Sequence, residues 1–470
     1  MWDAGIARVQ KQGGTYRGRD LHTGEVKREF PLDVEHNSWF HQRCYRSRAT
    51  ERFIMPSATG IEYVDVRGEH WETNHWVRGA CLYGILPANG LTYATPHPCA
   101  CFMESMVRGF SAFASESSTT FEEQGMEEEL RLQKGPAYDK LSALPPPVSG
   151  LQPTQDWPMY LRDTARSGYA STLVEAEVRV AWATDLGNRI TPPFAAGGMV
   201  FVAAVDQYSI HALDQMDGSV RWTFMANGRI DSPPTYHQGR LFFGSADGWL
   251  YCVDATDGRL AWKFRGGPVE RMLVSDGRVE SVWPVHGSVL IENDTIYCLA
   301  GRSLFLDGGM YMSLLDPRTG KLIATHMWDD IDSESGKSMQ LSNEGLKMVP
   351  SNSDLLVSDG HHIYLKAQKI GLDGKRIFPD RGNRKLYTLG KSDQEGEGTH
   401  LVSPPGFLDT AWHHRSYWLY GRAAGSGWGG WMKPGKYVPA GRILVLDEDK
   451  TVFGYGREPA FFAQSHVLEY

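Results

Sequence analysis

The sequence lacks an excess of positive charge, has few cysteines and contains no long apolar run. Its 56 acidic residues outnumber 48 basic ones, so the formal charge is −8 and no broad cationic field is available for nucleic acid or an anionic membrane. No apolar run approaches the length of a transmembrane helix. Six cysteines in 470 residues are too few for a disulfide scaffold. We therefore expect neither a nucleic-acid partner nor a transmembrane segment.

The first five residues, Met1-Trp2-Asp3-Ala4-Gly5, lack the basic and then apolar pattern of a secretory signal. The absence of this pattern favours either a cytoplasmic protein or a chain that begins inside a longer one. A hydrophobic content of 41% with 22% charged residues is typical of a globular protein with a full core.

A hairpin-sized pattern recurs along the chain. Asp214, Gly218 and Trp222 have counterparts 40 residues later in Asp254, Gly258 and Trp262, and shorter copies run from Leu314 to Leu322 and from Gly18 to Val26. In each copy an alternating strand ends in Asp, the chain turns, and Gly supplies the positive φ that the turn needs. The Trp on the returning strand is expected to pack between neighbouring sheets.

A second unit precedes these hairpins. Residues 191–201 parallel residues 232–242, and the series continues from Trp283 to Tyr297. Two strands from this unit and two from the hairpin make four per repeat of about 40 residues, which is the size of a propeller blade. The sequence therefore predicts an all-β fold, a β-propeller of four-stranded blades, seven or eight in number.

These hairpins, together with the stretch from Asp156 to Gly168, resemble the pyrroloquinoline-quinone-like (PQQ-like) repeat superfamily. That superfamily includes quinoprotein dehydrogenases and the outer-membrane assembly lipoprotein B, and the chain also resembles large bacterial propeller proteins named for the repeat. The resemblance is specific over about residues 156–325. It implies a periplasmic or otherwise extracytoplasmic location.

The composition divides the chain into three parts. Residues 1–115 are predicted to form propeller blades with a Cys/His-rich segment, and residues 155–470 to form PQQ-like repeat blades. Residues 116–154 are acidic and end in three prolines, which indicates an exposed insertion or linker with one short helix near residues 127–132. The two ends either complete one blade between them or mark a fragment.

Polar residues just before each innermost strand are expected to converge on a funnel at the mouth of the central channel, the usual ligand site of a propeller. The loop pair Arg302 and Asp307 could hold an anionic or sugar ligand, or could only fix its own loop. Alternatively, the funnel arginines bind carbonyls of neighbouring blades and merely close the ring. The remaining funnel candidates are Arg78, Arg189, Arg229, Asp231, Glu280, Trp283, His286, Trp412, His413, His414 and Arg415.

A cluster of thiols and imidazoles lies in the first quarter of the chain. Such ligands suit zinc or copper in a tetrahedral site, although their spacing matches no standard zinc module. A disulfide, if the protein is secreted, and buried thiols are the alternatives. Cys252 and Cys298 occupy matching strand positions and are predicted to be core residues. The metal candidates are His41, Cys44, Cys81, His97, Cys99 and Cys101.

The resemblance also implies a quinone cofactor, which quinoprotein dehydrogenases hold with a disulfide between adjacent cysteines. No adjacent pair occurs here, Cys99-Ala100-Cys101 departs from that pattern, and no haem-attachment motif is present. PQQ binding is therefore not expected.

No complete catalytic constellation is visible, so the sequence does not decide whether the protein is an enzyme. The leading hypothesis is an extracytoplasmic module that binds a ligand or a protein partner through its funnel. The alternatives are a quinoprotein-like oxidoreductase or metal-assisted enzyme acting on carbohydrate, and a scaffold for outer-membrane assembly.

Overall fold

The structure is a computed structural model of the chain, and strands dominate it. The residues that it describes are 2–5, 15–31, 45–57, 60–96, 106–107, 109–115, 128–143, 156–187, 189–275, 277–333, 335–342, 349–366, 368–378, 400–402, 418–420, 440–441, 443–447, 449 and 451–455.

Three antiparallel sheets lie in the N-terminal part. Their strands are β1 (Trp2–Gly5), β2 (Thr15–Arg19) and β3 (Val26–Pro31); β4 (Arg48–Ala49), β5 (Phe53–Met55), β6 (Tyr63–Asp65) and β7 (His70–Glu72); and β8 (Ile85–Ala88), β9 (Leu91–Ala94) and β10 (Ser111–Ala114). A short segment follows, made of α1 (Glu128–Arg131), β11 (Leu132–Lys134) and α2 (Tyr138–Ser142).

The central part contains four successive up-and-down sheets and one extra hairpin. Its strands are β12 (Phe194–Ala196), β13 (Met199–Ala204), β14 (Ser209–Asp214) and β15 (Val220–Met225); β16 (Thr235–His237), β17 (Arg240–Gly244), β18 (Trp249–Asp254) and β19 (Leu260–Arg265); the hairpin β20 (Met272–Ser275) and β21 (Arg278–Ser281); β22 (Leu290–Glu292), β23 (Thr295–Ala300), β24 (Met310–Leu315) and β25 (Leu322–Trp328); and β26 (Leu356–Ser358), β27 (Ile363–Leu365), β28 (Gln368–Ile370) and β29 (Arg376–Ile377).

The C-terminal part contributes two small sheets. Their strands are β30 (Leu401–Val402), β31 (Trp418–Tyr420) and β32 (Ala440–Gly441), then β33 (Ile443–Leu446) and β34 (Val452–Tyr455). Two single turns of 3-10 helix, Val205–Gln207 and Met339–Ser342, complete the described elements.

The predicted Asp-to-Gly hairpins share one turn geometry. The amide of Gly258 donates to the carbonyl of Asp254 at 2.8 Å, while the Asp254 carboxylate accepts the amide of Thr256 at 2.9 Å. The turns that begin at Asp20, Asp214 and Asp316 repeat both bonds. Asp therefore satisfies turn amides in all four copies, as the sequence predicted.

Apolar cores lie between successive sheets rather than inside any one of them. One core joins Phe201 and Trp222 of the β12–β15 sheet to Phe243 and Tyr251 of the next sheet. Further cores join the β16–β19 sheet to the β22–β25 sheet, and that sheet to the β26–β29 sheet. Each sheet therefore covers a face of its neighbour, as the blades of a propeller do.

The repeated tryptophans join one blade to the next. The indole of Trp222 donates to the carbonyl of Ala255 at 3.0 Å and lies against Gly258, where an added Cβ would stand 2.6 Å from the ring. The ring of Trp262 packs against Gly320, where an added Cβ would likewise stand 2.6 Å from it. The prediction that this Trp lies between neighbouring sheets is confirmed, and so is the all-β propeller fold. The number of blades, seven or eight, stays a prediction.

Part of the acidic segment is packed against a blade. Residues 128–143 lie on the β16–β19 sheet, and Ala137 and Leu141 are buried in its core, so the exposed state expected for the segment does not hold there. The short helix predicted near residues 127–132 corresponds to α1. The three domain boundaries stay a prediction.

Candidate functional site

The segments that lead from the outermost strand of one blade to the innermost strand of the next lie on a common side of the central sheets. We call this side the funnel face and define it by the turn 245–248 and by the described residues 226–234, 266–275, 277–289, 329–333, 335–342 and 349–355. Backbone bonds tie these segments together, since Ala246 donates to Arg229 at 2.8 Å and Ser281 donates to Ala246 at 2.8 Å. Side chains from different blades thereby come close to one another.

Arg229 links two carboxylates of this face. Its Nε donates to Glu280 in a short ion pair, and its Nη1 lies 3.8 Å from Asp231 Oδ2. All three side chains are at most 10% exposed. Glu280 reaches Arg229 from the end of the extra hairpin strand β21, and not from the position before an innermost strand that sequence alignment predicted. The insertion of the hairpin accounts for this difference.

His286 completes the group from the next blade. Its Nδ1 lies 3.1 Å from Asp231 Oδ2, and its side chain is 16% exposed. Burial by itself raises the pKa of the Asp231 carboxyl, but His286 and then Arg229 outweigh it, and the pKa lies below its ordinary value. Four predicted funnel residues, Arg229, Asp231, Glu280 and His286, are thus brought together.

Asp247 is an acid of the same face that sequence reasoning missed. Its carboxylate accepts the Tyr251 hydroxyl at 2.5 Å and the amide of Trp249 at 3.0 Å. Burial is the larger influence and raises the pKa of Asp247 above its ordinary value despite these bonds. Its place two residues after Ser245, in a turn rather than before an innermost strand, left no signal in the repeat alignment.

A buried pair extends the group toward the fourth central blade. Lys366 Nζ lies 3.6 Å from Asp354 Oδ2, and each side chain is only 4% exposed. The Asp354 carbonyl packs against Gly287, the residue after His286, so closely that a Cβ at Gly287 would stand 2.6 Å away. Charged side chains therefore follow one another across three blades.

Several buried hydroxyl groups accompany these charges. Ser232 stands next to Asp231, and Ser351 and Ser353 precede Asp354. Their hydroxyl oxygens are buried and have no hydrogen-bond partner among the residues that the structure describes. Buried hydroxyls ordinarily find a partner, so water or a ligand is expected beside each of these three.

The remaining described candidates are not part of this charged group. Trp283 is buried and packs edge-to-face on Tyr311 at 6.1 Å between ring centres, which makes it a core residue. Arg302 and Asp307 form an ion pair within their own loop. Arg78 is buried between β7 and β8, and Arg189 is exposed. Trp412, His413, His414 and Arg415 lie outside the described residues.

The cysteine cluster falls mostly outside the described residues. Of its members only Cys81 is described, and it is exposed, whereas His41, Cys44, His97, Cys99 and Cys101 are not described. Within the described ranges no three His, Cys, Asp or Glu side chains are grouped to hold a metal ion. Zinc or copper binding therefore stays a prediction.

Cys252 and Cys298 are core residues, as predicted. Both lie in the core between the second and third central blades. Burial raises the pKa of the Cys298 thiol to about 12, which keeps it protonated and unreactive.

No helix in the described part of the chain is long and apolar enough to cross a membrane.

Comparison with known proteins points to one kind of repeat. Residues 166–230 and 209–298 match the family model described as outer membrane protein assembly factor BamB. The chain is 27% identical over 187 residues to the dehydrogenase subunit of alcohol dehydrogenase (quinone) from Gluconobacter oxydans (strain 621H), covering 36% of this chain and 24% of that protein. It is 26% identical over 182 residues to BamB from Moranella endobia (strain PCIT), covering 37% and 42% respectively. The match spans less than half of either relative.

Solved structures overlap only loosely. Quinohemoprotein alcohol dehydrogenase from Comamonas testosteroni has a TM-score of 0.32 and 17% identity over 43% of this chain and 31% of its own. BamB from Moraxella catarrhalis has a TM-score of 0.28 and 12% identity over 82% of this chain and 95% of its own. The stacked four-stranded sheets and repeated hairpins are those of a β-propeller, and the chain's repeats over residues 166–298 match the PQQ-like family model.

Proposed function

We propose that this protein is an extracytoplasmic binding module whose funnel face takes an uncharged ligand rich in hydroxyl groups. The observation that carries the proposal is the set of three buried serine hydroxyls without described partners, on the two connections that also carry Asp231 and Asp354. A buried hydroxyl left unbonded costs about 1–3 kcal/mol, and a ligand that bonds it recovers this cost on binding.

The charges of the face favour such a ligand over an anion. Two buried cations of this group are already engaged, Arg229 by Glu280 and Lys366 by Asp354. Carboxylates accept hydrogen bonds from hydroxyl groups but repel phosphate or carboxylate. A neutral molecule with many hydroxyl donors is therefore complementary to the carboxylate acceptors of this face.

The described side chains of the funnel face do not fit a quinone centre. The sequence has no adjacent cysteine pair. The funnel carboxylates Asp231 and Glu280 are bonded to His286 and Arg229, so neither is an open ligand for a cation beside a quinone. The oxidoreductase alternative therefore has no support from these side chains.

The extracytoplasmic location rests on the matched repeats. The family model is described as an outer membrane protein assembly factor, and the proposal transfers only the compartment to this chain.

Replacing one unbonded serine tests the proposal. Ser351→Ala removes a hydroxyl that has no described partner, so the unliganded variant should be at least as stable as the wild type. Ser313→Ala is the matched control, because the equally buried Ser313 hydroxyl lies 3.2 Å from that of Thr325 and its loss should cost about 1 kcal/mol.

Ligand binding is then measured by thermal unfolding with D-glucose or with inorganic phosphate. We expect glucose to raise the melting temperature of the wild type and of Ser313→Ala, and to act less on a Ser351→Ala, Ser353→Ala double variant. Phosphate should have no comparable effect. Equal stabilisation by phosphate, or an unchanged glucose effect in the double variant, would contradict the proposal.

A further inference from the structure

The β16–β19 sheet carries a strand that its neighbours lack. Strand β11 pairs antiparallel with the outermost strand β19, placing Leu132 opposite Phe264 and Lys134 opposite Trp262. The β12–β15 and β22–β25 blades are complete with four strands each. The fifth strand is therefore an addition to a finished blade, as in peptide recognition by strand addition.

Arg131 anchors this added segment. It is 7% exposed, and its guanidinium donates to the carbonyls of Arg265 at 3.1 Å and Gly266 at 3.0 Å. It also lies 4.6 Å from the ring centre of Phe264 and 3.4 Å from the hydroxyl of Ser313. Because Ser313 belongs to the next blade, the site for this one side chain is built from two blades.

The rest of the segment is held along the same edge. The amide of Gly135 donates to Ala261 at 2.7 Å, and the amide of Ala137 donates to Leu260 at 2.9 Å. Further on, Arg240 of the blade donates to the carbonyl of Leu141.

The segment has little structure of its own. Its helices have four and five residues and its strand has three. Isolated helices shorter than about 12 residues are marginal in water. Its conformation therefore depends on contacts with the blade, which is the behaviour of a peptide that folds as it binds.

We propose that the outer edge of the β16–β19 blade is a docking site for an extended peptide with an arginine anchor, and that residues 128–143 occupy it as a tethered ligand. This inference is independent of the function proposed for the funnel face. The blade should fold without the segment, and the same peptide supplied in trans should bind once the tethered copy is weakened.

Hydrogen exchange on the full chain tests the tethered state. In Arg131→Ala the amides of Gly135 and Ala137 should exchange at least about tenfold faster, because the variant loses the hydrogen bonds that the guanidinium donates to the blade. Amides of β18 should keep their wild-type rates. Gln133→Ala, at an exposed position of the same strand, is the control and should change neither set.

Peptide binding tests the site directly. A labelled peptide of residues 128–143 should bind the Arg131→Ala chain by fluorescence anisotropy, and more weakly the wild type, whose own segment competes. The same peptide with alanine at position 131 should bind at least about tenfold more weakly. Equal acceleration of β18 exchange, failure of Arg131→Ala to fold, or equal binding of both peptides would each overturn the proposal.

Discussion

The contact between each Trp and the Gly of the next blade makes a quantitative prediction about what holds the blades together. Gly258 has φ 73° and lies beneath Trp222, so Gly258→Ala combines two penalties. A left-handed alanine costs about 1–2 kcal/mol, and forcing a methyl group against packed atoms costs about 1–3 kcal/mol more. We expect the variant to lose about 2–5 kcal/mol of unfolding free energy.

Gly239→Ala is the matched control for backbone strain. Gly239 has φ 75° in a hairpin of the same blade, but no atom lies within 4 Å of the position that its Cβ would take. This variant should lose only the conformational part, about 1–2 kcal/mol. Urea unfolding followed by tryptophan fluorescence measures both variants. If Gly258→Ala loses no more stability than Gly239→Ala, the indole does not press on the turn, and the argument for blade-to-blade packing is refuted.

Two further predictions concern the funnel face. The folded pKa of Asp231 is lowered, so its ionised form contributes stability that is present above the unfolded value of about 4 and is lost as the pH falls through the folded value. In Asp231→Asn the melting temperature should therefore fall less steeply than in the wild type as the pH drops below about 4. If it falls equally steeply in both, Asp231 is not stabilised by His286 and Arg229. Lys366→Met leaves the buried Asp354 without its cation and should cost about 3–5 kcal/mol, whereas a Lys366→Met, Asp354→Leu double variant should recover part of that loss in urea unfolding. If the double variant recovers no stability, the loss in Lys366→Met does not come from the buried Asp354 carboxylate left without Lys366.

The charged group of the funnel face is formed by the segments that connect the blades and not by the repeated strands. Arg229 and Asp231 come from one connection, Glu280 from the extra hairpin and His286 from the connection after it. No single blade holds this set. A change in the hairpin β20–β21 should therefore disturb the ion pair between Glu280 and Arg229 on the funnel face, in addition to its local effect on the hairpin.

Local chemistry in the sequence determined the hairpins and their tryptophans. Asp at the start of a turn and Gly at its end act within five residues, so Asp20, Asp214, Asp254 and Asp316 could each be identified without knowing any neighbour. The order of four strands per repeat followed from the same spacing, and with it the propeller architecture.

Only the tertiary structure decided which polar residues meet. Arg229 and Glu280 are 51 residues apart, and the pairing depends on a hairpin whose insertion no repeat alignment predicts. The sequence did not identify Lys366, Asp354 or Asp247 as site residues, because their place in the site depends on burial and not on residue type. The docking of residues 128–143 also depended on tertiary structure. The acidic, proline-ended composition of this stretch is visible in the sequence, but Arg131 binds carbonyls and a ring that lie more than a hundred residues further along the chain.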